Sequence, residues 1–410
     1  MNLIIMPLKK IAKLLFNRIF YVAVALLLQL VWVFLFVWEL AGYSQYISLA
    51  ITVLSIVMVL WILNKRINPS YKLGWTMLIM AFPVFGLLLY LLFGHSRIAE
   101  EMQKRYTRVQ EDSIPYLQSD PRVCRKIQEE DPSAAVQSEY ICRHSVYPVY
   151  EHTKAEYFQV GDDMFPVLVK ELEQAEHYIY IEYFIINDGV MWRTILDILE
   201  QKAAQGVDVR LIYDGFGCLT TLPYKYDKFL REKGIQCKVF NPFRPVLNII
   251  QNNRDHRKIC VIDGKTGFTG GINLADEYIN QKERFGHWKD TAVMLKGDAV
   301  WSMTMMFLHM WNVVNGIQTP IDYAAHSPHA YHPEEFEGSG FVQPFTDTPL
   351  DGETLGENVY LNIINRAKRY VYICTPYLII DNEMMTALCL AAKSGVDVRI
   401  MTPGVPDKKM

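Results

Sequence analysis

His256 and Lys258 stand two residues apart in the run "HRKICVIDGKTGFTGGIN", which continues through Asp263, Gly270 and Gly271 to Asn273. On a strand, residues i and i+2 share a face, so the imidazole and the ammonium point the same way. Ile259 to Ile262 is apolar, Asp263-Gly264 is a favoured tight-turn pair, and Thr266 to Thr269 is the return. The run therefore reads as a β-hairpin. His256 offers a nucleophile and Lys258 a cation. Gly270 and Gly271 let backbone approach a ligand closely, and Asn273 adds an amide donor. Donors and a cation converging beside an imidazole describe a site for a phosphate oxyanion. The longer spacing carries this reading. His152-x-Lys154 and His287-x-Lys289 also occur, but the place that Asp263 fills is taken there by Gln159 and Met294.

Such a site needs strands and helices to hold it, and the chain carries a repeat that supplies them. "AEHYIYIEYFIINDG" from Ala175 matches "AKRYVYICTPYLIID" from Ala367, each a Tyr-, Ile- and Val-rich run typical of a buried strand. A helical stretch follows each, "WRTILDILEQKAAQ" and "NEMMTALCLAAKS", and then "GVDVRLIYDG" from Gly206 and "GVDVRIMTPG" from Gly395. Two strand–helix–strand units predict an α/β fold.

The 410 residues allow two or three domains. The net charge of −3 gives no argument for a nucleic-acid partner. Seven scattered cysteines without a CxxC pair argue against a zinc site or a disulfide framework and suit a reducing compartment. The hydrophobic excess lies before Gly94. Apolar stretches over 19–38 and 46–63 are long enough to span a bilayer, and the third, over 73–94, contains Pro83 and Gly86. The basic flanks place both ends of the first two segments in the cytoplasm. The third segment either crosses or dips in and returns at its Pro-Gly break. A cytoplasmic catalytic domain on a multi-pass membrane protein is the expectation. The expected domains are a membrane region over 1–97, a linker or peripheral helix over 98–146 with Pro115, Pro121 and Pro132, a first lobe over 147–320, an inter-lobe loop over 321–358 and a second unit over 359–410.

The pattern His256-x-Lys258-x4-Asp263-x6-Gly270-Gly271-x-Asn273 resembles the signature of the phospholipase D superfamily. With "GWTMLIMAFPVFGLLLYLLFG" and "GGINLADEY", the chain is similar to the bacterial cardiolipin synthases within it. The resemblance implies membrane helices followed by a two-lobe α/β fold with mixed sheets. It implies exchange of phosphatidyl groups without metal or cofactor: two phosphatidylglycerols give cardiolipin and glycerol through a phosphohistidine. Its partners are those lipids and the bilayer, with a homo-oligomer possible. His256, Lys258 and Asp263 would be catalytic, and Lys258, Asn273, Gly270 and Gly271 would hold phosphate. Asp263, at the turn, fits support of the hairpin better than contact with phosphate. Asp276 and Glu277 stay open between orienting the imidazole and starting a helix. A different acceptor would make the chain a phospholipase or another phosphatidyltransferase.

The family's site uses two motifs, one per repeat. His256 lies 50 residues after Gly206. The same spacing from Gly395 puts the counterpart at about 445, past Met410. A fragment with an incomplete second lobe is the expectation, with an inactive truncation or a site shared by two chains as alternatives.

Overall fold

The computed structural model describes residues 45–65, 68–94, 97–242, 253–314, 321–327, 329–332, 336–348 and 352–405, with six helical residues between 27 and 35. The chain forms two units. One holds residues to Glu101 and Phe243–Asn253; the other holds Met102–Pro242 and Arg254–Met410.

In the first unit, α1 (Gln45–Asn64) occupies the second apolar stretch. The third stretch is two helices, α2 (Pro69–Ala81) and α3 (Pro83–Phe93). Asn68 caps α2, accepting from Ser70 N at 2.9 Å, and Pro69 opens it. Pro83 stops it, because the residue before a proline is driven out of helical geometry. Phe82 accordingly has φ −135° and ψ 76°. The chain folds back there. The Trp75 and Tyr90 rings meet edge to face at 5.1 Å, and a Cβ on Gly86 would run into the Ile79 backbone. At 1.5 Å per residue the two arms are roughly 20 and 16 Å long, against about 30 Å of hydrocarbon core. Among the described residues no helix is long and apolar enough to cross a membrane. The expected span over 19–38 lies largely outside the described residues. Val59, Ile62, Ile79, Leu87 and Tyr90 form a small core, while Leu49, Val53, Leu60, Met77 and Leu91 are exposed.

The stretch 98–146, expected as a linker or peripheral helix, is largely helical. It forms α4 (Arg97–Ser113), α5 (Pro121–Glu130) and α6 (Pro132–Ser145). Pro121 and Pro132 are first-turn residues of helices capped by Asp120 and Asp131, whose carboxylates accept from Arg122 N (2.7 Å) and Ser133 N (2.9 Å).

The sheet has seven strands. They are β1 (Thr153–Phe158), β2 (Tyr178–Tyr183), β3 (Asp208–Asp214), β4 (Gln236–Phe240), β5 (Lys258–Ile262), β6 (Thr266–Gly270) and β7 (Ala292–Gly297). Their order is β1-β7-β6-β5-β2-β3-β4. β2, β3 and β4 run parallel and the other neighbours antiparallel, so the sheet is mixed. The β5–β6 turn has φ of 51° at Asp263 and 68° at Gly264, the double positive φ that an Asp-Gly hairpin uses.

Helices α7 (Gly161–Glu173) and α8 (Val190–Ala204) cover one face over Ile179, Ile181, Cys260 and Ile262. After the short α9 (Tyr226–Glu232), α10 (Val300–Val313) covers the other face over Tyr178, Tyr180, Ile259 and Val261. α10 is buried along its whole length because α4 packs in the same core: Tyr106 and Val109 join it, and Arg105 donates to Val313 O at 3.1 Å. The second repeat gives α11 (Leu355–Arg366), β8 (Tyr370–Cys374), α12 (Asn382–Lys393) and β9 (Asp397–Met401), with β8 and β9 parallel.

The repeats agree in detail. Tyr180 Oη donates to Asp208 Oδ2 at 3.0 Å, Arg210 pairs with the same carboxylate, and its guanidinium lies 5.1 Å over the Tyr180 ring. In the second copy Tyr372 Oη donates to Asp397 Oδ2 at 2.7 Å, Arg399 pairs with that carboxylate, and its guanidinium lies 5.1 Å over Tyr372.

Candidate active site

His256 is exposed on the extended chain just ahead of β5. Its ring packs against Phe184 at 4.7 Å between centroids. Phe184 follows β2 immediately, so the two central strands deliver the imidazole and its aromatic wall together. Lys258 opens β5 opposite Tyr183, is buried, and donates from Nζ to His256 O at 2.7 Å. Its ammonium lies 5.5 Å from the Phe184 centroid. Burial pushes Lys258 down to about 8, with Asp290 and Asp255 pulling the other way. A desolvated cation of this kind gains more from an arriving anion than a solvated one.

Asp290 is the acidic residue with the larger pull on Lys258. Burial raises its carboxyl above the ordinary range, with Lys258 and the Thr291 amide opposing. It follows directly on His287-x-Lys289, which has Met294 where the motif has its aspartate, so no spacing within the motif points to it.

Gly270 and Gly271 serve the strands. A Cβ on Gly270 would meet Thr291 O, and one on Gly271 would land on the Asp290 carboxylate. Gly271 N donates to Thr291 O at 2.9 Å. The pair lets β6 close on the start of β7 and seats Asp290; that is a packing reason, distinct from approach to a ligand. Asn273 is buried. Its Oδ1 accepts from Ile185 N at 3.0 Å and its Nδ2 donates to Tyr278 Oη at 2.8 Å. One Nδ2 hydrogen beyond these remains in its inventory.

Asp263 is not brought to His256. All of β5 separates them, roughly 20 Å at the rise of a strand. Its carboxylate accepts from the amides of Glu176, His177 and Tyr178, each at 2.8 Å. It pins the entry of β2 to the β5–β6 turn. Asp276 accepts from Val190 N (3.0 Å) and Met191 N (2.9 Å), capping α8, and Glu277 pairs with Arg284 at 2.8 Å. Neither role is orientation of the imidazole.

Behind the histidine lies a buried ionic cluster. Arg257 Nε donates to Asp255 Oδ1 at 3.0 Å, and Nη2 sits 2.6 Å from Glu182 Oε1. Asp255 N donates to Asp214 Oδ2 at 3.1 Å. Burial drives Glu182 well above the ordinary carboxyl range, against the pull of Arg257. Burial also works on Asp255, but Arg257 and the hydrogen bonds from Glu182 and Arg257 outweigh it and hold Asp255 below that range. Glu182 in "YIYIEYF" was a legible signal, since a charge in a buried strand demands a partner; that partner is 75 residues away.

The family described as "Cardiolipin synthase, PLD-like domain" matches residues 168–311 and 360–410, one block on each repeat. "Phospholipase_D-nuclease N-terminal" matches 53–95, the helical hairpin region. An uncharacterized protein of Streptococcus mutans is 46% identical over 352 residues, covering 86% of this chain and 75% of that one. A cardiolipin synthase of Geobacillus thermodenitrificans is 33% identical over 375 residues, covering 89% and 71%. One of Geobacillus kaustophilus is 34% identical over 367 residues, covering 89% and 71%. With the His256 motif on its strand pair, both repeats matched and relatives of this identity, the chain belongs to the bacterial cardiolipin synthase family of the phospholipase D superfamily.

Proposed function

We propose that the protein transfers a phosphatidyl group from one phosphatidylglycerol to another, giving cardiolipin and glycerol. One observation carries this: an exposed imidazole stands beside a buried ammonium that is bonded to the histidine's own carbonyl. His256 attacks phosphorus, the bond to the glycerol oxygen breaks, and an acid protonates that oxygen. The conjugate base then takes the proton of the second lipid's hydroxyl. That oxygen attacks phosphorus, and the bond to the imidazole nitrogen breaks. Lys258 neutralises the equatorial oxygens, with Asn273 as a further donor. The family reading assigns the acid to a second His-x-Lys motif in the second repeat.

The same proposal seats the helical hairpin in the bilayer. Its exposed apolar side chains and its two short arms support an entry that returns to the side it came from, which agrees with basic residues on both flanks. The catalytic unit then faces the cytoplasm.

The test is incubation of the purified chain with phosphatidylglycerol vesicles. Cardiolipin and glycerol in equal amounts, lost in His256→Ala, support the reading. Phosphatidic acid as the product would make water the acceptor, and an inactive wild type would overturn the reading for this chain.

A further inference from the structure

Residues 255 and 257 flank the histidine, and both point into the same buried cluster behind it. Treated as acceptors only, Asp255 Oδ2 and both Glu182 oxygens are buried without a hydrogen bond, although a guanidinium lies 2.6 Å from Glu182 Oε1. Buried orphan oxygens are rare and call for a cause. Two carboxylates also face one guanidinium, which would leave a net buried anion at considerable cost. A single proton resolves both problems. Carried by one carboxyl and donated to the other, it satisfies an oxygen on each and makes the group neutral.

We infer that Glu182, Asp255 and Arg257 form one neutral unit, with a proton held between the carboxyls, that clamps the chain on both sides of His256 and so positions the imidazole. The other groups facing it are Lys258, whose ammonium Asp255 favours, Asp214, which accepts from Asp255 N, and Thr346, whose Oγ1 is 3.5 Å from Arg257 Nη1. Tyr106, Tyr147 and His309 lie on the α10 side, with Tyr147 Oη 3.1 Å from His309 Nδ1. His309 is buried and pushed down to about 3 by burial and by Arg257, so it adds no charge. Neutrality bears on the chemistry. A net anion beneath His256 would favour imidazolium, the form without the attacking lone pair. These are positioning residues: they act through His256 and have no contact with the lipid in this account.

The inference rests on the proposed transfer for its kinetic test, so a second readout is independent of it. Glu182→Gln supplies an amide donor to Asp255 and is neutral, whereas Glu182→Ala leaves a hole and Arg257→Lys gives up the forked geometry. In phosphatidylglycerol vesicles, Glu182→Ala and Arg257→Lys are expected to lower kcat at least tenfold with KM nearly unchanged. Glu182→Gln is expected to recover most of that loss. Independently, the rate at which diethyl pyrocarbonate modifies His256, followed by peptide mass spectrometry, shifts in Arg257→Lys and Glu182→Ala and returns toward wild type in Glu182→Gln. Thermal melting of each variant confirms that it is folded. If Glu182→Gln is as damaging as Glu182→Ala in both readouts, the shared proton is refuted. If Arg257→Lys changes neither readout, the clamp is refuted. An inactive wild type with the expected modification rates would sink the transfer reading and leave the clamp standing.

Discussion

Asp263 belongs to the motif yet its carboxylate serves the β5–β6 turn, and replacing it separates a catalytic from a structural role. Asp263→Ala removes the acceptor of three amides at 2.8 Å each. Hydrogen bonds to a charged group contribute about 1.5–3 kcal/mol apiece. Water recovers part of this at Glu176 and His177, which are exposed, but not at buried Tyr178. The turn also loses a residue suited to its φ of 51°. The net loss is roughly 3–5 kcal/mol, which lowers Tm by about 10 °C for a unit of this size. Asp263→Asn keeps the carbonyl that serves His177 and Tyr178 and sets an amide donor against Glu176 N, so its cost is roughly 1–2 kcal/mol. Differential scanning calorimetry of the three proteins in one detergent gives the order, and phosphatidylglycerol turnover below all three transitions gives kcat. The expectation is graded melting and a kcat for Asp263→Asn within about threefold of wild type, since a group roughly 20 Å away cannot touch the reacting phosphorus. Unchanged melting with turnover abolished in Asp263→Asn would refute the structural assignment.

Lys258 sets a pH window. Its ammonium discharges as pH rises through about 8, so the affinity for dimethyl phosphate, a phosphodiester whose single charge is constant over this range, falls between pH 7 and 9 in the wild type and falls much less in Lys258→Met, as read by equilibrium titration. Folded stability moves the opposite way. The unfolded chain keeps this proton up to 10.5, so between about 8 and 10.5 the unfolded state binds more protons, and this group's contribution makes stability rise with pH; urea midpoints at pH 8 and 10 in wild type and Lys258→Met isolate it. Gly271→Ala puts a methyl on the Asp290 carboxylate, costs roughly 1–3 kcal/mol and displaces Asp290 from Lys258. It is therefore expected to move the dimethyl phosphate profile as well as the melting temperature.

The β5–β6 hairpin was legible because its signals are local: apolar residues on a strand and an Asp-Gly pair at the turn. The repeat was legible for the same reason. Pro121 and Pro132 left a linker and a helix both open because a proline marks a helix start as readily as a break, and the Asp before each decides between them. The site was legible at His256 and Lys258, where one strand carries both. It was not legible where two strands meet. Phe184, Asp290 and Glu182 reach the motif only through the pairing of β5 with β2 and of β6 with β7, and no spacing within one segment encodes that.

The Tyr-Asp-Arg arrangement shared by the repeats bears on how the chain assembles. In each copy its tyrosine and aspartate are 28 and 25 residues apart, while α10, which covers the first copy, begins ninety-two residues after Asp208. Closing a short loop costs less entropy than closing a long one. Each copy therefore carries a local register mark that aligns two parallel strands, in the first copy before α10 has been synthesised. Parallel pairing is ordinarily slow because its contacts are distant in sequence. Here duplication has copied the mark along with the strands, so each half of the molecule brings its own starting point for folding.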